Sequence, residues 1–192
     1  MKRSVCLFCS AKEDLPAAAR DLAAEFGAAC AVRGVRLVYG GSGRGLMGIA
    51  ARAAVGAGGE VLGIMPRRLM RPEHAAPDLG TLVIVESLAE RKQKMTDAAD
   101  LFVAIPGGIG TLNELIEMLT LNDLGVQAKP VILCATDGFW RPFAALIERF
   151  HAYGVLRASI AQYLRYAESV GETMRLIDAL LPEGRSARSR SV

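Results

Sequence analysis

Aromatic residues, histidines and long apolar runs are scarce in this sequence. Of its 192 residues only 6% are aromatic and two are histidine, and no cluster of ligating side chains stands out, so we expect no metal site. No stretch reaches the roughly 18 consecutive apolar residues of a transmembrane helix, so we expect no association with a membrane. The apolar stretch near the N terminus is too short for a signal peptide, and charges return at residues 12–14. We therefore expect a cytoplasmic protein.

Charge and cysteine are also limited. A net charge of +3 is too small to indicate binding to nucleic acid. Four cysteines do not make a disulfide framework in a chain of this length. Cys6 and Cys9 form a C-x-x-C, but their odd spacing within a predicted strand sends the two side chains to opposite faces. A redox pair needs this motif at the start of a helix, so we do not expect one.

Hydrophobic residues make up 52% of the chain, in short runs that alternate with helical patterns. This alternation favours an α/β sandwich of three layers, in which a mostly parallel sheet of about seven strands has helices on both faces. We expect a single domain over residues 1–182 and a disordered tail over residues 183–192. The predicted strands are Ser4–Ser10, Val35–Tyr39, Glu60–Met65, Thr81–Glu86, Leu101–Ile105, Pro130–Cys134 and Tyr163–Ala167. The predicted helices are Ala17–Arg33, an alanine-rich helix ending near Val55, Leu88–Ala99, a helix ending near Leu124, Phe139–Tyr153 and Glu172–Leu181.

The most informative stretch runs from Ala104 to Thr120, A-I-P-G-G-I-G-T-L-N-E-L-I-E-M-L-T. It predicts a buried strand, a turn with three glycines within four residues, and a helix whose first turn carries Glu114. Such a turn lets the backbone approach a ligand, and the helix N terminus that follows favours an anion. Thr111 and Glu114 also have the spacing of a capping box, so a structural role stays open. Capping alone does not need these glycines, which favours an active site here.

A second glycine-rich loop, G-G-S-G-R-G-L-M-G over residues 40–48, follows another predicted strand. It contains G-x-G-x-x-G as Gly43, Gly45 and Gly48. A dinucleotide-binding fold would also place a carboxylate at the end of the next strand, but that strand ends in I-M-P. We therefore expect no nicotinamide or flavin cofactor. The loop is interpreted as a phosphate site, with tight backbone packing as the alternative.

The predicted helix Leu88–Ala99 carries two cations on its apolar face. On a helical wheel Arg91 falls within the apolar stripe and Lys92 lies beside it. Long side chains can reach water from such positions. The functional interpretation is that both cations face a carboxylate and a phosphate in the cleft beyond the strand ends.

Three motifs together resemble the LONELY GUY family of cytokinin riboside 5′-monophosphate phosphoribohydrolases, which are often labelled as lysine decarboxylases. They are Y-G-G-S-G-R-G-L-M-G (39–48), E-R-K-x-x-M (90–95) and P-G-G-I-G-T-L-N-E (106–114), and the resemblance extends over about residues 3–181. It implies a Rossmann-like fold and a homodimer, for which the apolar stretch Trp140–Phe150 offers surface. It also implies hydrolysis of the N-glycosidic bond of a nucleoside 5′-monophosphate, such as AMP or an N6-modified AMP, without metal or cofactor.

The resemblance assigns roles by matching motif positions. Arg91 and Glu114 match the catalytic pair, while Glu73 and Thr120 match substrate contacts of the family. Ile109 stands where the family usually has tyrosine. The predicted substrate-binding residues are Gly41, Ser42, Gly43, Gly45, Met47, Glu73, Lys92, Gly107, Gly108, Ile109, Gly110, Thr111, Leu112, Asn113 and Thr120.

The residues suit this chemistry on physical grounds as well. Breaking a glycosidic bond builds positive charge on the sugar, and a carboxylate such as Glu114 stabilises that charge or activates water. A helix N terminus and a backbone nest hold a 5′-phosphate, and Arg91 orients Glu114. Two alternatives stay open. A non-catalytic nucleotide- or phosphate-binding protein could dispense with Glu114 and Arg91, and a pyridoxal-phosphate decarboxylase would need a Schiff-base lysine, for which no residue stands out.

Overall fold

Seven strands form a single sheet in the computed structural model, which describes residues 2–70, 78–157 and 160–182. The strands are β1 (Ser4–Phe8), β2 (Arg36–Tyr39), β3 (Val61–Pro66), β4 (Thr81–Val85), β5 (Leu101–Ala104), β6 (Val131–Cys134) and β7 (Leu164–Ala167). All six neighbouring pairs are parallel, in the order β4-β3-β2-β1-β5-β6-β7. The predicted α/β class with a parallel sheet is confirmed, and the topology is Rossmann-like.

The helices alternate with these strands. They are α1 (Ala17–Val32), α2 (Gly45–Gly56), α3 (Leu88–Ala98), α4 (Ile109–Asp123), α5 (Arg141–Ala152), α6 (Ile160–Tyr163) and α7 (Val170–Leu180). The sequence predicted all but the four-residue α6, which is too short to show a period. The last helix begins two residues earlier than predicted because Ser169 caps it, accepting a hydrogen bond from the Glu172 amide. None of the helices in the described ranges is long and apolar enough to cross a membrane.

Two hydrophobic cores lie on opposite faces of the sheet. One contains side chains of α1, α2 and α7, such as Phe26 and Met174. The other contains side chains of α3, α4, α5 and α6, such as Met95 and Met118. Cys6 belongs to the second core and Cys9 to the first, as the strand period predicts.

The crevice that positions the site lies beyond the carboxyl ends of β1 and β5. The chain builds the sheet outward from β1 to β4, then returns to place β5 on the other side of β1. The loops after β1 and β5 therefore diverge, and ligands of such sheets bind at this reversal. The two loops are joined by Ser10, whose amide donates to the Pro106 carbonyl at 3.4 Å. The glycine-rich turn after β5 thus lies at the switch point of the sheet.

Candidate active site

Arg91 reaches from α3 into the crevice. Ser87 caps α3 by accepting from the Glu90 amide at 3.0 Å, and this start turns Arg91 toward the sheet. The Arg91 side chain is only 11% exposed; its Nε donates to the Ile64 carbonyl at 3.1 Å and its Nη1 lies 3.1 Å from Glu114 Oε1. The inward orientation predicted from the wheel is therefore what the structure has.

Gly40, directly after β2, makes room for this arginine. A Cβ atom at position 40 would lie 1.8 Å from Arg91 Nη2 and 3.0 Å from Met47 Cε, so only glycine accommodates the guanidinium as it stands. Met47, a predicted binding residue, is thereby brought next to the pair. The sequence alone did not indicate a role for Gly40, although this residue opens the glycine loop.

The helix α4 begins without a side-chain cap. Its N-cap residue is Gly108, and no side chain accepts a hydrogen bond from its first turn. The capping-box interpretation of Thr111 and Glu114 is therefore wrong, since the helix begins two residues before Thr111. Glu114 consequently lies in the second turn rather than the first, and both side chains are buried. Glu114 is thus a buried carboxylate that does not cap the helix, and its burial is explained by its ion pair with Arg91.

The first turn of α4 leaves backbone donors available. Within the described residues, the amides of Ile109, Gly110 and Thr111 have no hydrogen-bond acceptor. A Cβ at Gly108 or Gly110 would meet no atom within 4 Å, so open space surrounds this turn. At Gly107, by contrast, a Cβ would lie 2.1 Å from Thr111 Oγ1, so this glycine lets the turn close. Open amides at a helix N terminus form an anion-binding site.

The start of α2, in the other glycine loop, differs in this respect. The Ser10 carbonyl accepts from the amides of Leu46 and Met47, and Ser42 Oγ accepts from the Arg44 amide at 3.2 Å. These donors are therefore already used by the protein. Gly41 and Gly45 have positive φ angles of 79° and 57°, and a Cβ at Gly45 would lie 2.5 Å from the Lys12 carbonyl oxygen. These glycines permit close backbone packing, the alternative that the sequence left open, and the phosphate site on this loop stays a prediction.

Gly43 contributes to the same packing. A Cβ at Gly48 would lie 2.0 Å from the Gly43 carbonyl oxygen, which also accepts a hydrogen bond from Arg52 at 2.9 Å. The G-x-G-x-x-G spacing thus lets α2 start tightly after β2.

Lys92 lies beside Arg91 and contacts α4. Its Nζ donates to Asn113 Oδ1 at 3.3 Å and forms an ion pair with Glu117. Glu117 was not recognised from the sequence, although it follows Glu114 by one helical turn. Arg91, Lys92, Asn113 and Glu114 are thus brought together between α3 and α4.

The other predicted residues are more dispersed. Ile109 is 82% exposed at the mouth of the crevice, and Leu112 is half-buried behind it. Thr120 is exposed, donates to the Ile116 carbonyl and lies about 9 Å along the axis of α4 from Glu114. Glu73 lies outside the described residues, as does the predicted tail. Among the residues that the structure describes, no group of three His, Cys, Asp or Glu side chains is arranged to hold a metal ion.

Burial raises the pKa of Glu114. Desolvation is the largest effect and outweighs Arg91 and Lys92, which lower the pKa of this carboxyl, while Glu117 raises it. Burial likewise raises the pKa of the Cys6 and Cys9 thiols, with Glu114 adding to the rise. A carboxyl with a raised pKa in a crevice, beside a specific cation, is typical of a functional site.

The fold and the site define a class: a Rossmann-like α/β protein in which a helix start with open amides lies next to a buried arginine–glutamate pair. A family model described as "Possible lysine decarboxylase" matches residues 47–177. The chain belongs to the LOG family. 

Curated relatives carry the corresponding enzyme name. A probable cytokinin riboside 5′-monophosphate phosphoribohydrolase of Oryza sativa, LOGL1, is 37% identical over 91% of this chain and 78% of its own length. The Arabidopsis thaliana phosphoribohydrolase LOG5 is 35% identical over 98% of this chain and 83% of its own length.

Solved structures show the same fold in proteins with another name. The Moco carrier protein of Chlamydomonas reinhardtii matches with a TM-score of 0.72 and 22% identity, covering 94% of this chain and 98% of the carrier. A molybdenum cofactor binding protein of Rippkaea orientalis matches equally well, at 21% identity. At these identities the likeness shows the fold alone.

Proposed function

We propose that this protein hydrolyses the N-glycosidic bond of AMP and N6-modified AMP, including cytokinin riboside 5′-monophosphates, to release the free base and ribose 5-phosphate. The observation that carries the proposal is the buried Arg91–Glu114 pair beside the open amides of α4. The names of the curated relatives support the same reaction. No metal or cofactor is part of the proposal.

The 5′-phosphate binds the amides of Ile109, Gly110 and Thr111 in this proposal. They lie at the positive end of the α4 dipole, where an anion is stabilised. Glu114 follows Thr111 by three residues, about 4.5 Å along the axis. The anomeric carbon and C4′, which carries the 5′-phosphate group, flank the ring oxygen of the ribose, so a phosphate fixed at the first turn places the anomeric carbon within reach of Glu114.

Glu114 acts on the sugar as its bond to the base breaks. The base leaves with the bonding electrons, and the positive charge that develops on the ribose is stabilised by the carboxylate. Water then adds to the anomeric carbon, and Glu114 accepts the proton that the water loses. This proton passes through solvent to the departed base anion, which leaves neutral base and an ionised Glu114. Arg91 holds the carboxylate in place through Nη1 and is itself held by the Ile64 carbonyl.

The test is to incubate the protein with AMP, N6-isopentenyl-AMP and the two nucleosides, and to quantify base, ribose 5-phosphate and inorganic phosphate. We expect base and ribose 5-phosphate in equal amounts from the monophosphates and little turnover of the nucleosides. Release of inorganic phosphate, or equal turnover of nucleosides, would contradict the proposal.

A non-catalytic binder is the second candidate, since structures named as molybdenum cofactor carriers share this fold. Such a protein would bind AMP without releasing base. The buried ionic pair favours the enzyme, because a binder gains little from a carboxylate whose ionisation its surroundings oppose.

The proposal includes a homodimer in the cytoplasm. Of the predicted apolar stretch, Trp140 and Phe143 are buried in the protomer, but Leu146 and Phe150 of α5 are 44% and 38% exposed, with Tyr153 and Val155 beyond them. Exposed apolar side chains grouped in this way suit an interface with a second copy. All four cysteines are buried free thiols, which suits a reducing compartment.

A further inference from the structure

A second ion pair lies directly beside the Arg91–Glu114 pair, between the same two helices. Lys92 follows Arg91 on α3, and Glu117 follows Glu114 by one turn on α4. Lys92 Nζ contacts the Glu117 carboxylate and donates to Asn113 Oδ1 at 3.3 Å. Two cations on α3 therefore face two carboxylates on α4, and each cation pairs with one of the carboxylates.

The groups that face Glu114 come from three elements. Arg91 and Lys92 approach from α3, Glu117 lies on α4, and the thiols of Cys6 and Cys9 lie at β1. Lys92 lowers the pKa of Glu114 although its own contact is with Glu117, so the ammonium is within electrostatic reach of the buried carboxylate. Because the lysine side chain is long and flexible, its ammonium can move from Glu117 to Glu114.

We propose that Glu117 is a positioning residue: it holds Lys92 against Asn113 and prevents the ammonium from pairing with Glu114. Among the described residues, Arg91 is then the one cation bound to the carboxylate, which keeps its second oxygen available for the developing charge on the sugar. The catalytic consequence rests on the proposed function. The effect of Glu117 on the ionisation of Glu114 does not rest on the proposed function, and it can be measured without substrate.

The test is an NMR titration of the Glu114 carboxyl carbon, assigned with Glu114→Gln, in the substrate-free protein. We expect the titration midpoint in Glu117→Gln to fall below that of the wild type, because the freed Lys92 moves toward Glu114. Glu60→Gln is the matched control. It removes a carboxylate that pairs with Lys2 at 3.3 Å. This pair lies at the amino ends of the strands, whereas Glu114 lies at their carboxyl ends, so the midpoint should not change.

A double-mutant cycle distinguishes positioning from a direct charge effect. If Glu117 acts through Lys92, Glu117→Gln changes the midpoint much less in a Lys92→Met background than in the wild type. An equal decrease in both backgrounds, or no decrease in either, would overturn the proposal. Absence of base release by the wild type would refute the proposed hydrolysis instead, and would leave the titration result to decide the role of Glu117.

Discussion

Glu114 is a buried carboxylate whose surroundings oppose its ionisation, although Arg91 lies 3.1 Å away. Its burial could not be read from the sequence, where the spacing of this residue from Thr111 also fits a helix cap. What the sequence did indicate was the inward direction of Arg91, because a cation within an apolar stripe conflicts with a solvated helix face. Gly40 and Glu117 escaped prediction because their roles depend on contacts between elements.

Substituting Gly40 tests whether the position of the Arg91 guanidinium depends on the absence of a side chain at this residue. In Gly40→Ala the added methyl group would lie 1.8 Å from Arg91 Nη2, so the flexible guanidinium moves while the backbone stays. We expect kcat for AMP to fall by about tenfold or more, a loss of about 1.4 kcal/mol of transition-state stabilisation, with little change in Tm. Gly56→Ala is the control, because a Cβ there meets no atom within 4 Å, and its activity should equal that of the wild type.

The raised pKa of Glu114 predicts how stability depends on pH. The pKa is higher in the folded than in the unfolded state, where it is near the ordinary value of 4.5, so the fold favours the protonated form. The stability from this group is present below pH 4.5 and is lost as the pH rises through the folded-state pKa. The glutamine side chain of Glu114→Gln does not ionise, so the Tm of the variant minus the Tm of the wild type should increase as the pH rises from 4 to 8. A Tm difference independent of pH would contradict this.

At the scale of elements, the order and type of nearly all helices and strands followed from periodicity and from glycine and proline signals. The hydrogen bonds at the helix starts did not follow from these signals. Both α2 and α4 follow glycine loops that look alike in sequence, yet the Ser10 carbonyl accepts from the Leu46 and Met47 amides of α2, whereas the first three amides of α4 have no acceptor within the described residues. A residue outside both motifs therefore determines how the Leu46 and Met47 amides of α2 are used.

The contact between α1 and α2 depends on a small residue in the same way. A Cβ at Gly27 would lie 2.0 Å from the Ala50 carbonyl oxygen, a backbone atom that cannot move without shifting α2. We expect Gly27→Ala to lower the free energy of unfolding by about 1–3 kcal/mol in denaturant titration, since overpacking costs this much. An unchanged midpoint would show that the two helices separate freely.

For the whole molecule, the alternation of buried strands and helices sufficed to predict a parallel three-layer sandwich with its site at the carboxyl edge. Periodicity could not supply the strand order, which makes β1 and β5 neighbours and places the switch point of the sheet between the loops that follow them. The proposed homodimer would use the exposed apolar face of α5. We expect analytical ultracentrifugation to give a dimer mass, and Phe150→Glu to shift it toward the monomer; a wild-type monomer at all concentrations would contradict the proposed interface.

The most direct measurement of the central claim compares binding and turnover of AMP in Glu114→Gln. The amides of α4 are intact in this variant, so isothermal titration calorimetry should still detect AMP binding at a similar Kd. Base release should fall by at least about a hundredfold, because the group that stabilises the charged sugar is neutral. Base release at the wild-type rate in a variant that binds AMP normally would contradict the account.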